Sequence, residues 1–101
     1  MLRVSATSTD GKTSDRLASN HTVHGVRGPG ALWAMQARRT GSISLARQSV
    51  CTFHGSREDA QDVADDWNRR ATDGKPVEDQ AGHQYYDAQV VEGFAYIANE
   101  A

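Results

Sequence analysis

Hydrophobic residues recur at helical spacing in one stretch of this chain, residues 57 to 72. Five apolar residues lie at i, i+3, i+4, i+7 and i+11: Ala60, Val63, Ala64, Trp67 and Ala71. Ser56 stands where an N-cap residue belongs, and acidic residues follow in the first turn. Gly74 and Pro76 end the pattern. The spacing predicts an amphipathic α-helix over about 57–72, with Val63 and Trp67 on its buried side.

Alternating polar and apolar residues before this helix predict β-strands. One face of residues 31–38 carries three apolar side chains: Trp33, Met35 and Ala37. After a turn at Gly41, residues 43–53 again keep apolar side chains in one parity: Ile43, Leu45, Cys51 and Phe53. Arg47 and Ser49 interrupt that parity, which indicates either two short strands or one strand with a β-bulge. These segments predict an antiparallel hairpin or a three-stranded meander.

The first thirty residues carry a weaker pattern. They contain only six large apolar side chains, and Ser, Thr, Asp and Gly dominate residues 7 to 15. We therefore expect residues 1–30 to form an irregular N-terminal segment that contributes little to the core and can add only short edge strands.

The C-terminal segment, residues 84–99, fits two patterns. Tyr86, Val90 and Phe94 align at helical spacing, whereas Tyr86, Ala88 and Val90 also alternate as in a strand. A glycine inside a helix costs about 1 kcal/mol relative to alanine, and Gly93 falls in this segment. We therefore favour a strand from residue 85 to residue 91, followed by a short turn or helix.

These patterns predict an α+β fold. At 101 residues the chain is large enough for one modest core. We expect a single α+β domain over residues 31–101, in which a small, mainly antiparallel sheet of three to five short strands carries the 57–72 helix on one face. The expected core consists of one or two C-terminal apolar residues and the following: Trp33, Ile43, Leu45, Phe53, Val63 and Trp67.

The charge is divided along the chain. Residues 1–57 hold eight Lys and Arg against two Asp, a balance of +6, and residues 58–101 hold three against eleven Asp and Glu, a balance of −8. This asymmetry indicates either a bipolar surface that steers partners or two halves that pack together and neutralise each other.

The cysteine content and the hydropathy predict the compartment. Cys51 is the only cysteine, so an intrachain disulfide cannot form, which favours a reducing environment. No run approaches the roughly 18 apolar residues of a membrane span, and the N-terminus lacks the apolar region of a secretory signal. We expect a soluble cytoplasmic protein with no membrane partner.

Two short motifs contain residues that can bind zinc. His21 and His24 lie in HTVH, and Cys51 and His54 lie in CTFH. Structural zinc requires four such donors in a tetrahedron. Because residues i and i+3 of a strand point to opposite faces, each pair would need a turn to converge, so we expect no metal site.

Catalytic motifs are absent from the sequence. It contains no P-loop, GxSxG, HExxH or dinucleotide-binding motif. Cys51 shares its parity with the apolar Phe53, which indicates a small core residue and not an exposed nucleophile. We therefore expect no catalytic residues and no cofactor.

The polar side of the predicted helix is acidic. Its candidate binding residues are four carboxylates: Glu58, Asp62, Asp65 and Asp66. They form either the solvated face of an ordinary surface helix or a surface that docks a basic groove, where carboxylates imitate phosphates. Such docking also needs an aromatic anchor, for which the candidates are Tyr85, Tyr86, Phe94 and Tyr96.

The size, the charge and the lack of catalytic motifs resemble those of small inhibitors made by phages and mobile elements, such as anti-CRISPR proteins. This resemblance implies a non-catalytic protein-binding module. Its partner would be a larger protein or ribonucleoprotein assembly, on which the module occupies a surface.

A basic hairpin provides the alternative function. Arg38, Arg39 and Arg47 lie on the predicted hairpin, near Trp33. A hairpin followed by a packed helix resembles in outline the three-stranded DNA-binding domains of phage-type integrases, over about residues 31–72. The resemblance implies nucleic-acid binding through these arginines. The acidic helix opposes this alternative, because it would repel phosphates unless it faced away from them.

Overall fold

A computed structural model describes residues 1–41 and 47–99. Ile43 and Leu45, two of the predicted core residues, lie outside the described residues. The elements in chain order are β1 (Leu2–Thr7), β2 (Thr13–Leu17), β3 (Val23–His24), β4 (Gly30–Thr40), β5 (Arg47–His54), α1 (Arg57–Thr72), β6 (Val77–Glu78) and β7 (Gln84–Ile97).

All seven strands belong to one sheet. Its order is β2-β1-β7-β4-β5-β3, and β6 pairs with β7 beside this path. Every pairing is antiparallel except the short parallel pairing of β3 with β5. The predicted α+β class is confirmed. The sheet is larger than the predicted three to five strands because the N-terminal segment supplies three of its members.

The expectation that residues 1–30 are irregular is wrong for β1. This strand lies inside the sheet, between β2 and β7, and pairs with β7 from Leu2 opposite Ile97 to Ala6 opposite Gly93. Val4 is 0 % exposed. Pairing between the two ends of a chain depends on long-range contacts, which the local composition of a Ser- and Thr-rich segment does not reveal.

The C-terminal segment is one continuous strand. β7 runs through Gln84–Ile97, so the favoured strand over residues 85–91 is confirmed and the turn or helix expected after it is wrong. Gly93 lies within this strand at a point where neighbouring atoms leave no room for a side chain. A Cβ at that position would lie 2.6 Å from the carbonyl oxygen of Ser5 and 2.9 Å from Cδ1 of Leu32.

The helix forms where the periodicity predicts it. α1 spans Arg57–Thr72, and Oγ of the N-cap Ser56 accepts a hydrogen bond from the backbone N–H of Asp59 at 3.2 Å. Ala60 and Ala64 are fully buried. α1 packs on β4, β5 and β7, and these small side chains allow its axis to approach the sheet closely.

Apolar side chains are buried on both faces of the sheet. On the face away from α1, seven residues form one cluster: Val4, Ala6, Leu32, Ala34, Val50, Phe53 and Ala95. Under α1, four buried residues form a second cluster: Met35, Ala37, Ala64 and Ala88. Of the predicted core, Phe53 is fully buried as expected. Trp33, Val63 and Trp67 are only half-buried, because alanines fill the closest part of the helix–sheet contact.

The N-terminal hairpin, formed by β1 and β2, contacts β5 on the other side of the curled sheet. Arg16 on β2 reaches across to β5, where Nη2 donates to the carbonyl oxygen of Val50 at 3.1 Å and Nη1 to that of Cys51 at 3.4 Å. Asp10 Oδ2 accepts from the backbone N–H of Gln48 on the same strand at 3.2 Å. The part of β5 that β3 does not pair is thereby supplied with hydrogen-bond partners.

Candidate functional site

The acidic face of α1 is reduced from four carboxylates to three. Glu58, Asp62 and Asp65 are exposed, and none of them forms an ion pair with another described residue. Asp66 is half-buried and pairs with Arg69 and with Arg70, whose Nε lies 2.9 Å from Oδ2. Its charge is therefore compensated within the helix, as the i,i+4 spacing of Asp66 and Arg70 favours.

The three arginines of the basic hairpin do not share one surface. Arg39 and Arg47 lie opposite each other in the pairing of β4 with β5. Arg38, which precedes Arg39 on β4, points to the other face of the sheet. There its Nε donates to Asp87 at 2.8 Å, and its guanidinium lies 5.3 Å from the ring centre of Tyr86. Only two of the three predicted residues are brought together.

The aromatic candidates differ in exposure. Tyr85 contacts Trp67 edge-on, with ring centres 5.5 Å apart, and donates its hydroxyl to Asp79 at 2.8 Å. Tyr86 is half-buried beneath Arg38. Phe94 is 53 % exposed and lies beside Tyr96, with ring centres 5.7 Å apart. Phe94 is therefore the candidate with most of its ring available to a partner.

The two potential zinc motifs meet through one histidine each. His24 and His54 lie opposite each other in the parallel pairing of β3 with β5, and their rings stack with centres 5.3 Å apart. His21 and Cys51 do not join them. Among residues 1–41 and 47–99, no group of three or more His, Cys, Asp or Glu side chains is arranged to hold a metal ion.

Cys51 is a half-buried thiol on β5. Sγ donates to the carbonyl oxygen of Ser49 at 3.3 Å. Burial raises the pKa of the Cys51 thiol to about 11, so it stays protonated at neutral pH. A protonated thiol is a poor nucleophile. The predicted shared parity of Cys51 and Phe53 is wrong: Cys51 packs against the cluster under α1, and Phe53 belongs to the cluster on the other face. The reason is a register shift in the pairing of β4 with β5, which passes from Thr52 opposite Met35 to Val50 opposite Gln36.

Close backbone approach brings the two histidines together. Each is followed by a glycine, and a Cβ on Gly55 would lie 2.1 Å from the carbonyl oxygen of Gly25. The backbone N–H of Gly55 donates to the carbonyl oxygen of His24 at 2.9 Å. The repeated His-Gly dipeptide is the sequence signal for this pairing, and the metal-ligand spacing concealed it.

A cavity of about 380 Å³ opens between these histidines and the first turns of α1. It is lined by six residues: His24, Thr52, His54, Asp59, Asp62 and Val63. His54 is 3 % exposed, and its Nε2 lies 2.7 Å from Oγ1 of Thr52. Burial, together with the nearby His24, lowers the pKa of His54, so its ring is neutral at physiological pH.

A second cavity, of about 340 Å³, lies at the other end of α1. Arg39, Trp67 and Tyr85 line it together with Asp79. Partial burial opposes ionisation of Asp79, but hydrogen bonds from Tyr85 and from the backbone N–H groups of Ala81 and His83 lower its pKa to about 2. Burial and the hydrogen bond to Asp79 raise the pKa of Tyr85 to about 12. These hydrogen bonds show that Asp79 stabilises the turn before β7.

Comparisons with known proteins gave no relative. A scan against protein-family models matched no family, and searches of curated proteins and of solved structures returned no match. No helix in the described ranges has the length and apolar character to cross a membrane.

Proposed function

We propose that this protein is a non-catalytic binding module that uses the outer face of α1 to occupy a basic surface on a larger protein or ribonucleoprotein assembly. One observation carries the proposal. Glu58, Asp62 and Asp65 are exposed on one helix and have no cationic partner among the described residues. Uncompensated charges of one sign attract and orient a partner of the opposite sign.

The rigidity of α1 supports this role. Its first turn is capped by Ser56, and its inner side is held by the buried Ala60 and Ala64. Asn68 ties the helix to the β7 backbone. A helix backbone that is already ordered loses little conformational entropy when its side chains bind a partner, so more of the electrostatic attraction remains as affinity.

The basic hairpin offers weaker support for nucleic-acid binding. Arg38 is compensated by Asp87 and lies on the face opposite Arg39 and Arg47. Two arginines supply a short positive patch, whereas phosphate recognition gains affinity with each additional contact. Protein binding is accordingly the function that we prefer.

The finer form of the proposal concerns the type of partner. A row of helical carboxylates can replace phosphates in a groove that normally holds nucleic acid. This is the mode of action that we propose, in the manner of small phage or mobile-element inhibitors such as anti-CRISPR proteins. The exposed Phe94 is the aromatic side chain available to add apolar contact.

The test is a capture experiment with two charge-matched variants. In the first, Glu58→Gln, Asp62→Asn and Asp65→Asn remove the charges of the helix face. In the second, Asp73→Asn, Glu78→Gln and Glu92→Gln remove the same number of exposed charges elsewhere. Proteins captured from the native host by the tagged chain are identified, and the purified partner is titrated against each variant.

We expect the partner to be lost by the helix-face variant and kept by the control. Equal binding by both variants would contradict the role of α1. A salt-dependent gel shift with random oligonucleotides that disappears on Arg38→Ala, Arg39→Ala and Arg47→Ala would favour the nucleic-acid alternative instead.

A further inference from the structure

The cavity between the stacked histidines and α1 has the lining of a receptor for a cationic side chain. Its floor is the ring of His54, one wall is the apolar side chain of Val63, and its helix side carries the carboxylates of Asp59 and Asp62. We propose that this cavity binds an arginine side chain of the partner. The inference deepens the proposed function and rests on it, because Asp62 belongs to both the cavity and the acidic face.

The shape and polarity of the lining match the parts of arginine. A guanidinium group is planar and weakly hydrated, and it both stacks on flat rings and donates hydrogen bonds to carboxylates. The imidazole of His24 is exposed and stacked on that of His54, so a ring face is available at the cavity. The aliphatic stem of arginine packs favourably along a side chain such as Val63.

The ring of His54 is already held in place at the inner end of the cavity. His54 is 3 % exposed, and its Nε2 lies 2.7 Å from Oγ1 of Thr52. A side chain that is ordered before binding loses little conformational entropy when a ligand contacts it.

Other ligand classes fit the lining less well. Two carboxylates repel anions such as phosphate. The side chains are not arranged as a group of three metal ligands within the described part of the chain. A lysine ammonium is a compact and strongly hydrated charge that does not stack on a ring as a guanidinium does, so the cavity selects arginine over lysine.

The experiment uses small probes and the four histidines of the chain as reporters. N-acetyl-arginine methylamide is titrated into the full chain at pH 7.5, and the imidazole C–H resonances are followed by NMR. N-acetyl-citrulline methylamide is the neutral control of the same shape, and N-acetyl-lysine methylamide tests the preference for a guanidinium. His21 and His83 do not line the cavity and are internal controls.

We expect the arginine probe to shift the resonances of His24 and His54 and to leave those of His21 and His83 unchanged. The citrulline probe should shift none of them. Asp62→Asn should weaken binding of the arginine probe about fivefold, whereas Asp73→Asn, at the C-terminal end of the same helix and outside the cavity, should leave it unchanged. Both positions are exposed, so both variants should fold.

Uniform shifts of all four histidines, equal shifts with citrulline, or equal effects of Asp62→Asn and Asp73→Asn would overturn the assignment of the cavity. These outcomes are independent of the capture experiment. A partner that depends equally on Glu58, Asp62 and Asp65 but a cavity that ignores arginine would preserve the proposed function and reject this site. A cavity that binds the arginine probe, together with a capture experiment that returns no partner, would support this site and reject the proposed function.

Discussion

The side-chain amide of Asn68 on α1 forms two hydrogen bonds with the backbone of Ala88 on β7. Nδ2 donates to the carbonyl oxygen of Ala88 at 2.9 Å, and Oδ1 accepts from its N–H at 2.8 Å. Asp87, the preceding residue, has φ +53°, and the pairing of β4 with β7 shifts register at this point. Asn68 therefore replaces the strand partner that the bulge removes.

Replacement of Asn68 should be costly for this reason. We expect Asn68→Ala to lower the free energy of unfolding by about 2–3 kcal/mol, because two backbone groups lose their partners near the buried Ala88. Urea denaturation measures this. The matched control is Gln61→Ala, which removes an exposed amide that donates to Asp65, and it should cost less than about 0.5 kcal/mol. Equal costs would mean that water satisfies Ala88 in the variant.

The helix was predictable because its signals are local. All of its signals lie within four helical turns: the Ser56 cap and the spacing of Ala60, Val63, Ala64 and Trp67. Such short-range signals can be recognised from the local sequence alone. The exposure of Glu58, Asp62 and Asp65 follows from the same periodicity.

The sheet was only partly predictable because its pairing is long-range. β1 and β7 come from opposite ends of the chain, and the alternation of Leu2, Val4 and Ala6 is too short to predict a buried strand by itself. The His24–His54 pair has the same origin, since its members are thirty positions apart in the sequence and the parallel pairing of β3 with β5 brings them together. The sequence spacing grouped His24 with His21 and His54 with Cys51, whereas the structure pairs His24 with His54.

Gly93 offers a test of the β1–β7 contact. A Cβ at this position would meet the Ser5 carbonyl oxygen and the side chain of Leu32, so we expect Gly93→Ala to destabilise the protein by about 1–3 kcal/mol in urea denaturation. Gly28→Ala is the matched control, because nothing lies within 4 Å of a Cβ there, and its effect should stay within about 0.5 kcal/mol. If both variants unfold at the same urea concentration, β1 is not packed against β7 at Gly93.

The hydrogen bond from Tyr85 to Asp79 should make part of the stability dependent on pH. The folded-state pKa of Asp79, about 2, lies below the value of about 3.9 for an unperturbed Asp. The stabilisation is therefore fully present above about pH 4 and is lost as the pH falls towards 2. We expect Tyr85→Phe to melt below the wild type at pH 7 and to approach it between pH 4 and about pH 2.

Tyr86→Phe is the control for that experiment. The Tyr86 hydroxyl donates to Oε1 of Gln84 at 2.9 Å, an uncharged acceptor. Its melting difference from the wild type should therefore stay constant over the same pH range. A Tyr85→Phe difference that is also constant would show that Asp79 does not depend on Tyr85 for its low pKa.

His54 should make the protein less stable under mildly acidic conditions. Its pKa is lowered by burial and by electrostatic repulsion from the neighbouring His24, while Asp59 opposes the shift. The unfolded chain therefore takes up this proton at a higher pH than the folded chain does. The stability contributed by the neutral His54 ring is fully present above the unperturbed histidine pKa of about 6.5, and it decreases as the pH falls below that value.

We expect the urea midpoint of the wild type to decrease between pH 7.5 and pH 5.0 by more than that of His54→Gln, in which the buried titrating group is gone. His21→Gln removes an exposed histidine away from the pair and should decrease as the wild type does. The role of burial would be contradicted if the urea midpoints of both variants decreased less than that of the wild type, or if neither did. Because the ring of His54 forms the floor of the proposed arginine cavity, protonation of His54 should also expel the arginine probe. Binding and stability should therefore decline together as the solution is acidified.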